Sequence, residues 1–279
     1  MKLLKNLLKS PMFVIGTSLF SLVLFAAFIV PWFYDITTLQ RVGDSYGAPT
    51  AQYLLGLDHL GRDYIVLLLR GLRSSLYVGL LAGVIATVLG TLIGLIAGFK
   101  GGIVDDVLSA LTNLFVVIPQ LVLLILISAS IGDTGRSLTL IAVIIGLTGW
   151  TWSARSVRAQ SSAIKSKDHI SLARLNGDGG LRILLIHILP YLFSYVFMVF
   201  IILISAGILS ESAISMIGLG PVDTQSLGTI LNDAKNNGAL SDGYWWAFLP
   251  ATGIIISIAL SLYLINTSMD GVFNPRMRK

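Results

Sequence analysis

The sequence predicts an all-α integral membrane protein with six transmembrane helices. Three observations carry that prediction: the composition, six long runs without charge, and an uneven placement of Lys and Arg. Of the 279 residues, 55% are hydrophobic and only 12% are charged, with a mean hydropathy of +0.85. Soluble domains carry about 25% charged residues. The charge-free runs occupy residues 10–34, 74–99, 107–132, 137–154, 183–210 and 243–269. A bilayer core takes about 20 apolar residues of helix, and lipid leaves no backbone group unpaired, so each run is read as a helix.

In chain order, the prediction starts with a short segment, 1–11, and a first helix over 12–34. Lys2, Lys5 and Lys9 precede that helix as in a secretory signal. Its apolar stretch exceeds the roughly 7–15 residues of a cleaved signal core, so it is read as a retained span. A polar loop layer follows over 35–73. The core then runs over 74–269, with helices at about 74–99, 105–131, 137–154, 183–210 and 244–268 and a polar loop at 155–182, before a tail at 270–279. With the N-terminus inside, 13 of the 19 Lys and Arg residues fall on the inner side and 6 on the outer side. The positive-inside rule therefore predicts both termini and 155–182 in the cytoplasm. It also explains the basic pI as topology, which argues against nucleic-acid binding.

Several features read first as packing. Gly79 and Gly83, and separately Gly90, Gly94 and Gly98, recur every four residues, so each set shares a helix face and permits close helix contact. Pro119, Pro190 and Pro250 lie in or beside spans and can kink them. Trp245 and Trp246 fit an interfacial aromatic belt. Asp58, Gly61, Arg62 and Asp63 read as a turn with exposed ion pairs, each contributing about 0–1 kcal/mol.

Candidate chemistry is sparse. Cys is absent, so there is no disulfide and no thiolate metal site. His59 is predicted on one side of the membrane, His169 and His187 on the other. No HExxH, GxSxG or GxxxxGK[ST] motif is present. The six runs contain no acid of the kind that marks a proton or sodium path. The nearest is Glu211, predicted just past the outer end of the fifth span.

Three motifs carry a family resemblance. Residues 171–190, SLARLNGDGGLRILLIHILP, resemble the cytoplasmic EAA loop of ABC importer permeases. Ala173, Gly177 and the closing Leu189-Pro190 match, while Ser171 stands in place of Glu and Leu172 in place of Ala. Residues 55–63, LGLDHLGRD, resemble the LGTDxxGRD segment of dipeptide and oligopeptide permeases, with Leu57 for Thr. Residues 211–220, ESAISMIGLG, are similar to that family's EASLSFLGLG. Together they resemble the second permease type of those importers.

The resemblance implies a subunit that forms half of a translocation path by alternating access. Its implied partners are a sister permease, two cytoplasmic ATPases and an extracytoplasmic solute-binding protein. ATP and Mg would bind to the ATPases and no cofactor to this chain. The implied location is a prokaryotic inner membrane. Same-family alternatives import oligosaccharides or nickel complexes; a different class would be a channel or ion-coupled carrier.

The resemblance also assigns the loop as a coupling helix for an ATPase groove, through Asp168, Ser171, Leu172, Ala173, Arg174, Leu175, Asn176, Gly177, Asp178 and Leu181. Residues 171–176 can form a short helix, and Gly177 can stop it with a positive φ. Leu172 and Leu175 share a face, and Asp168 is the nearest acid to the missing Glu. Leu55, Gly56, Asp58, Gly61, Arg62 and Asp63 form the extracytoplasmic motif. Glu211, Ser215, Gly218 and Gly220 are the candidates for the outer gate or path.

Overall fold

A computed structural model describes residues 7–132 and 135–273. Its helices are α1 (Pro11–Phe28), α2 (Tyr64–Lys100), α3 (Gly102–Val117), α4 (Gln120–Ile131), α5 (Leu138–Gly149), α6 (Thr151–Lys165), α7 (Asp168–Leu175), α8 (Gly180–Met216), α9 (Leu227–Asn236) and α10 (Leu249–Phe273). Four helices, α1, α2, α8 and α10, are each long and apolar enough to cross a membrane. The pairs α3–α4 and α5–α6 qualify as two further bent spans. The N-terminal residues 1–6 and the end of the tail, 274–279, lie outside the described residues.

Helix α2 is the axis of the fold. At 37 residues it is about 55 Å long, well beyond a hydrocarbon core of about 30 Å. Its Tyr64 end carries residues 35–63 and α9, here termed the α9 pole. Its Lys100 end carries α7, the α7 pole. The expected loop layer over 35–73 is shorter than predicted, because α2 starts at Tyr64. The Asp63 carboxylate accepts from the Ile65 N–H at 2.9 Å, which caps the helix. Leu67, Leu68 and Leu72 are then buried in the core. Arg70 and Arg73, which interrupt the apolar run, donate to the Ile36, Thr37 and Ala27 carbonyls.

The repeating glycines of α2 do what their spacing predicts. A Cβ on Gly79 or Gly83 would meet Ile208 or Ile204 of α8, and one on Gly94 would lie 2.5 Å from the Ala154 carbonyl of α6. One glycine face therefore seats α8 and the other α6.

The middle spans differ from the straight helices expected over 105–131 and 137–154. The first breaks at Ile118-Pro119 with a 78° bend, and the second at Trp150 with a 42° bend. Proline excludes the preceding residue from the helical region, and Ile118 is accordingly extended at φ −85°, ψ 119°. α6 then carries helix on to Lys165, so the expected polar loop begins as about three further helical turns that bury Val157, Ser161 and Ile164. The first span ends at Phe28 rather than residue 34 and is followed by a tight turn, Val30–Trp32, containing Pro31. The last begins at Leu249, after a second such turn, Trp245–Ala247.

Candidate functional site

The three motifs occupy the two poles. At the α7 pole, α7 is an eight-residue helix. Ile170 and Ala173 bury against Leu95 of α2, Val157 and Ile164 of α6, and Ile183, Leu184 and Ile188 of α8. The His169 ring stacks on Tyr191 at 4.9 Å, and the Arg174 guanidinium lies 5.9 Å over the Phe99 ring. The opposite face is bare. Leu172, Leu175 and Leu181 are 60%, 83% and 72% exposed, and Asp168, Ser171 and Asn176 are exposed beside them.

The helix stop has a specific geometry. The Gly177 N–H donates to Arg174 O and the Asp178 N–H to Ala173 O, each at 3.0 Å. Gly177 sits at φ +85°. This is a Schellman closure, which needs a left-handed residue at Gly177's position. The Asp178 carboxylate then faces Arg182 Nε at 3.3 Å and His187 Nε2 at 2.9 Å. His187 belongs to a π-helical stretch, Ile183–Ile188, at the start of α8. Sequence reading assigned no role to His169, His187 or this π turn. The signal available was the two histidines flanking the loop, each within reach of an acid or aromatic residue.

At the α9 pole, LGLDHLGRD folds into a knot around one buried carboxylate. Asp58 is 5% exposed and accepts from the Leu60 N–H, the Arg62 N–H and Arg62 Nε at 3.0, 2.8 and 2.7 Å. The expectation of an exposed pair is therefore corrected: the Arg62 side chain is only 13% exposed. Tyr46, Tyr64 and the α9 residues Ile230 and Asp233 line one small cavity together with Asp58. Burial holds the Asp233 carboxyl above the usual range, and the nearby His59 and Arg62 pull it back. Gly56 and Gly61 are close-approach positions, since a Cβ would lie 2.6 Å from the Gly47 carbonyl and 2.2 Å from the Gly43 carbonyl, respectively. Leu55 packs on the main core, and Asp63 caps α2 as described.

The ESAISMIGLG motif closes α8 at the same pole. The helix does not end before Glu211 but continues to Met216, and Glu211 is fully buried. Its carboxylate accepts from Ser75 of α2 at 3.2 Å, Ser215 at 2.6 Å and Ser226 at 2.5 Å. Ser226 also caps α9, accepting from Thr229 N–H. One acid thus ties three helices. Gly218, at φ +87°, ends α8 with the same closure as α7: the Gly218 N–H donates to Ser215 O and the Leu219 N–H to Ile214 O. Gly220 is buried against Ser215. Of the four path candidates, only Gly218 is exposed. Among the described residues, no cluster of three or more His, Cys, Asp or Glu could hold a metal.

The class that this fold and these motifs define is a membrane transport permease. Residues 90–279 match the family of binding-protein-dependent transport system inner membrane components, and the chain belongs to that family. It is similar to the oligopeptide transport system permease protein OppC of Lactococcus lactis subsp. cremoris (strain SK11). The two are 28% identical over 261 residues, covering 91% of this chain and 88% of the relative. It is also similar to the dipeptide transport system permease protein DppC of Bacillus subtilis (strain 168), at 29% over 236 residues, covering 83% and 71%. A putative peptide transport system permease protein of Brucella suis biovar 1 (strain 1330) is 31% identical over 278 residues, covering 98% and 91%.

Proposed function

We propose that this chain is one of two membrane subunits of an ATP-driven importer of dipeptides or oligopeptides. It forms half of the translocation path, and α7 couples that path to an ATPase. The observation that carries the coupling role is the division of α7 into two faces. Ile170 and Ala173 anchor it to α2, α6 and α8, while Leu172 and Leu175 stand free, an arrangement suited to an apolar groove on a soluble partner. The similarity to OppC and DppC relatives supports peptide as the solute. In this reading ATP and Mg bind to the partner ATPases, an extracytoplasmic binding protein delivers the solute, and a sister permease completes the path.

The test is reconstitution in proteoliposomes. The full complex should import radiolabelled peptide on ATP addition, and this chain alone should import none. Uptake by the chain without an ATPase would overturn the reading. Preferential uptake of an oligosaccharide or a nickel complex by the full complex would reassign the solute.

Orientation is a separate proposal: α7 and both termini in the cytoplasm, residues 35–63 and α9 outside, as the basic residues require. The chain has no native cysteine, and Asp44 and Lys167 are both exposed. In intact cells an impermeant thiol reagent is expected to label Asp44→Cys and to leave Lys167→Cys unlabelled. The reverse pattern would invert the topology.

A further inference from the structure

Two backbone breaks meet inside the apolar part of the molecule. The Ile118-Pro119 break of α3–α4 and the Trp150 break of α5–α6 are joined by the Phe115 and Trp150 rings, 5.6 Å apart. The Gln120 amide, 3.5 Å from the Thr148 hydroxyl, joins them again. Their depth follows from α2. Ser153, one turn past the second break, donates to the Ala86 carbonyl at 3.3 Å, and Ala86 lies at the middle of the charge-free run 74–99. The breaks therefore sit near the membrane midplane.

Irregular backbone at that depth persists only where protein buries it or where it lines water. Within this chain the α3–α4 break is not buried: Leu114, Val117 and Ile118 are 67%, 81% and 43% exposed, whereas Trp150 at the other break is only 5% exposed. No backbone bond closes the end of α3, unlike the end of α2, where the Gly101 N–H reaches Ala97 O. The carbonyls of the last turn of α3 thus need hydrogen-bond donors from outside its own helix.

A second observation points from these breaks toward the α7 pole. Asp105, Ser109 and Asn113 are spaced four apart, so they share one face of α3. Ser109 and Asn113 line a cavity of about 230 Å³ between α2, α3 and α6, with Arg155 and Arg158 opposite. Arg158 pairs with Asp105, and Arg155 donates to Asn113 Oδ1 at 2.8 Å. Asp105, Arg155 and Arg158 lie just beyond the charge-free runs, at the α7-pole end, whereas Ser109 and Asn113 lie within one, where polar side chains mark a bundle interior or a water-filled cavity.

We infer that this polar cavity and the paired breaks form a continuous water-filled stretch of the translocation path, from the α7 pole to the midplane. It offers carbonyl, amide and guanidinium groups to a solute that exchanges hydrogen bonds for water, as a peptide backbone does. The inference rests on the permease reading above and locates the path on residues none of the three motifs contains.

The test uses the complete importer with single cysteines at Asn113, Val117 and Gln120, and at Leu22 of α1 as a lipid-facing control. Leu22 is 64% exposed on a helix packed chiefly against α10. The probe is a charged, water-soluble methanethiosulfonate, applied to both faces with and without ATP. A thiol reacts as its thiolate, which water permits and lipid suppresses. All three path positions should therefore react about tenfold or more faster than Leu22→Cys in at least one nucleotide state. Labelling should also stop peptide uptake. Rates equal to the control at all three, in complexes that still import, would overturn the inference. Labelling of Asn113→Cys alone would overturn its continuation to the breaks. Failure of the unsubstituted complex to import any peptide would instead count against the permease reading.

Discussion

Replacing Gly177 with valine is expected to leave the protein in the membrane at normal level and to abolish most of its ATP-driven import. The Schellman closure needs Gly177 at φ +85°, a region hostile to β-branched side chains. The effect is conformational rather than steric, because a Cβ at 177 would meet nothing within 4 Å. A left-handed residue costs a non-glycine side chain about 1–2 kcal/mol, and more for a β-branched one. The chain can relieve this by opening the two bonds that end α7. Leu172 and Leu175 then lose their fixed position over the core, and docking weakens by roughly 5- to 30-fold. The spans themselves are held by burial in α2, α6 and α8 and should melt as in the parent.

Two companions make the test specific. Asparagine tolerates the left-handed region, so Gly177→Asn should import much better than Gly177→Val. Ser171→Ala should change little, since Ser171 is exposed and offers no ion pair. The measurements are uptake, co-purification of the ATPase and the thermal midpoint of the purified complex. Normal import by Gly177→Val at normal expression would show that α7 does not carry the coupling.

The second large effect is expected at the other pole. Asp58→Ala removes the acceptor of three hydrogen bonds and leaves the Arg62 cation nearly buried. Breaking a buried pair from one side costs about 3–5 kcal/mol. Asp233, close enough to feel the Arg62 charge, should keep the loss near the lower end. The first turn of α2 should fray as well, because the same knot positions the Asp63 cap. The signatures are a lowered thermal midpoint and new protease cleavage within residues 35–63. Asp35→Ala is the control: this carboxylate is fully exposed and bonded only to Thr37 and Thr38, so its loss should go unnoticed. Equal midpoints for Asp58→Ala and the parent would show that the knot does not hold the pole.

What could be read from the sequence was whatever depended on local spacing. Each of the four helices long and apolar enough to span, and each of the two bent pairs, overlaps one of the apolar runs; the glycine repeats found the two packing faces of α2, and Gly177 marked the stop of α7. What escaped depended on partners distant in the chain. Glu211 looked interfacial because the serines that bury it come from positions 75 and 226. The Asp58–Arg62 pair looked exposed because α9 and Tyr46, which line one cavity with Asp58, are remote in sequence. Arg70 and Arg73 hid the start of α2, since a charge reads as the end of an apolar run unless the carbonyls it serves are known. Pro119 was visible as a kink, but the size of its 78° bend was not, nor were the distant Trp150 and Thr148 that meet its neighbours Phe115 and Gln120.

Helix α2 runs unbroken from one pole to the other, and geometry turns that into leverage. A rod about 55 Å long that tilts by about 5° carries one end about 5 Å sideways relative to the other, close to the rise of one helical turn. A small push where α7 meets Leu95 and Phe99 therefore needs no relay of intermediate residues to displace the Asp63 cap, the Asp58 knot and α9 at the far end.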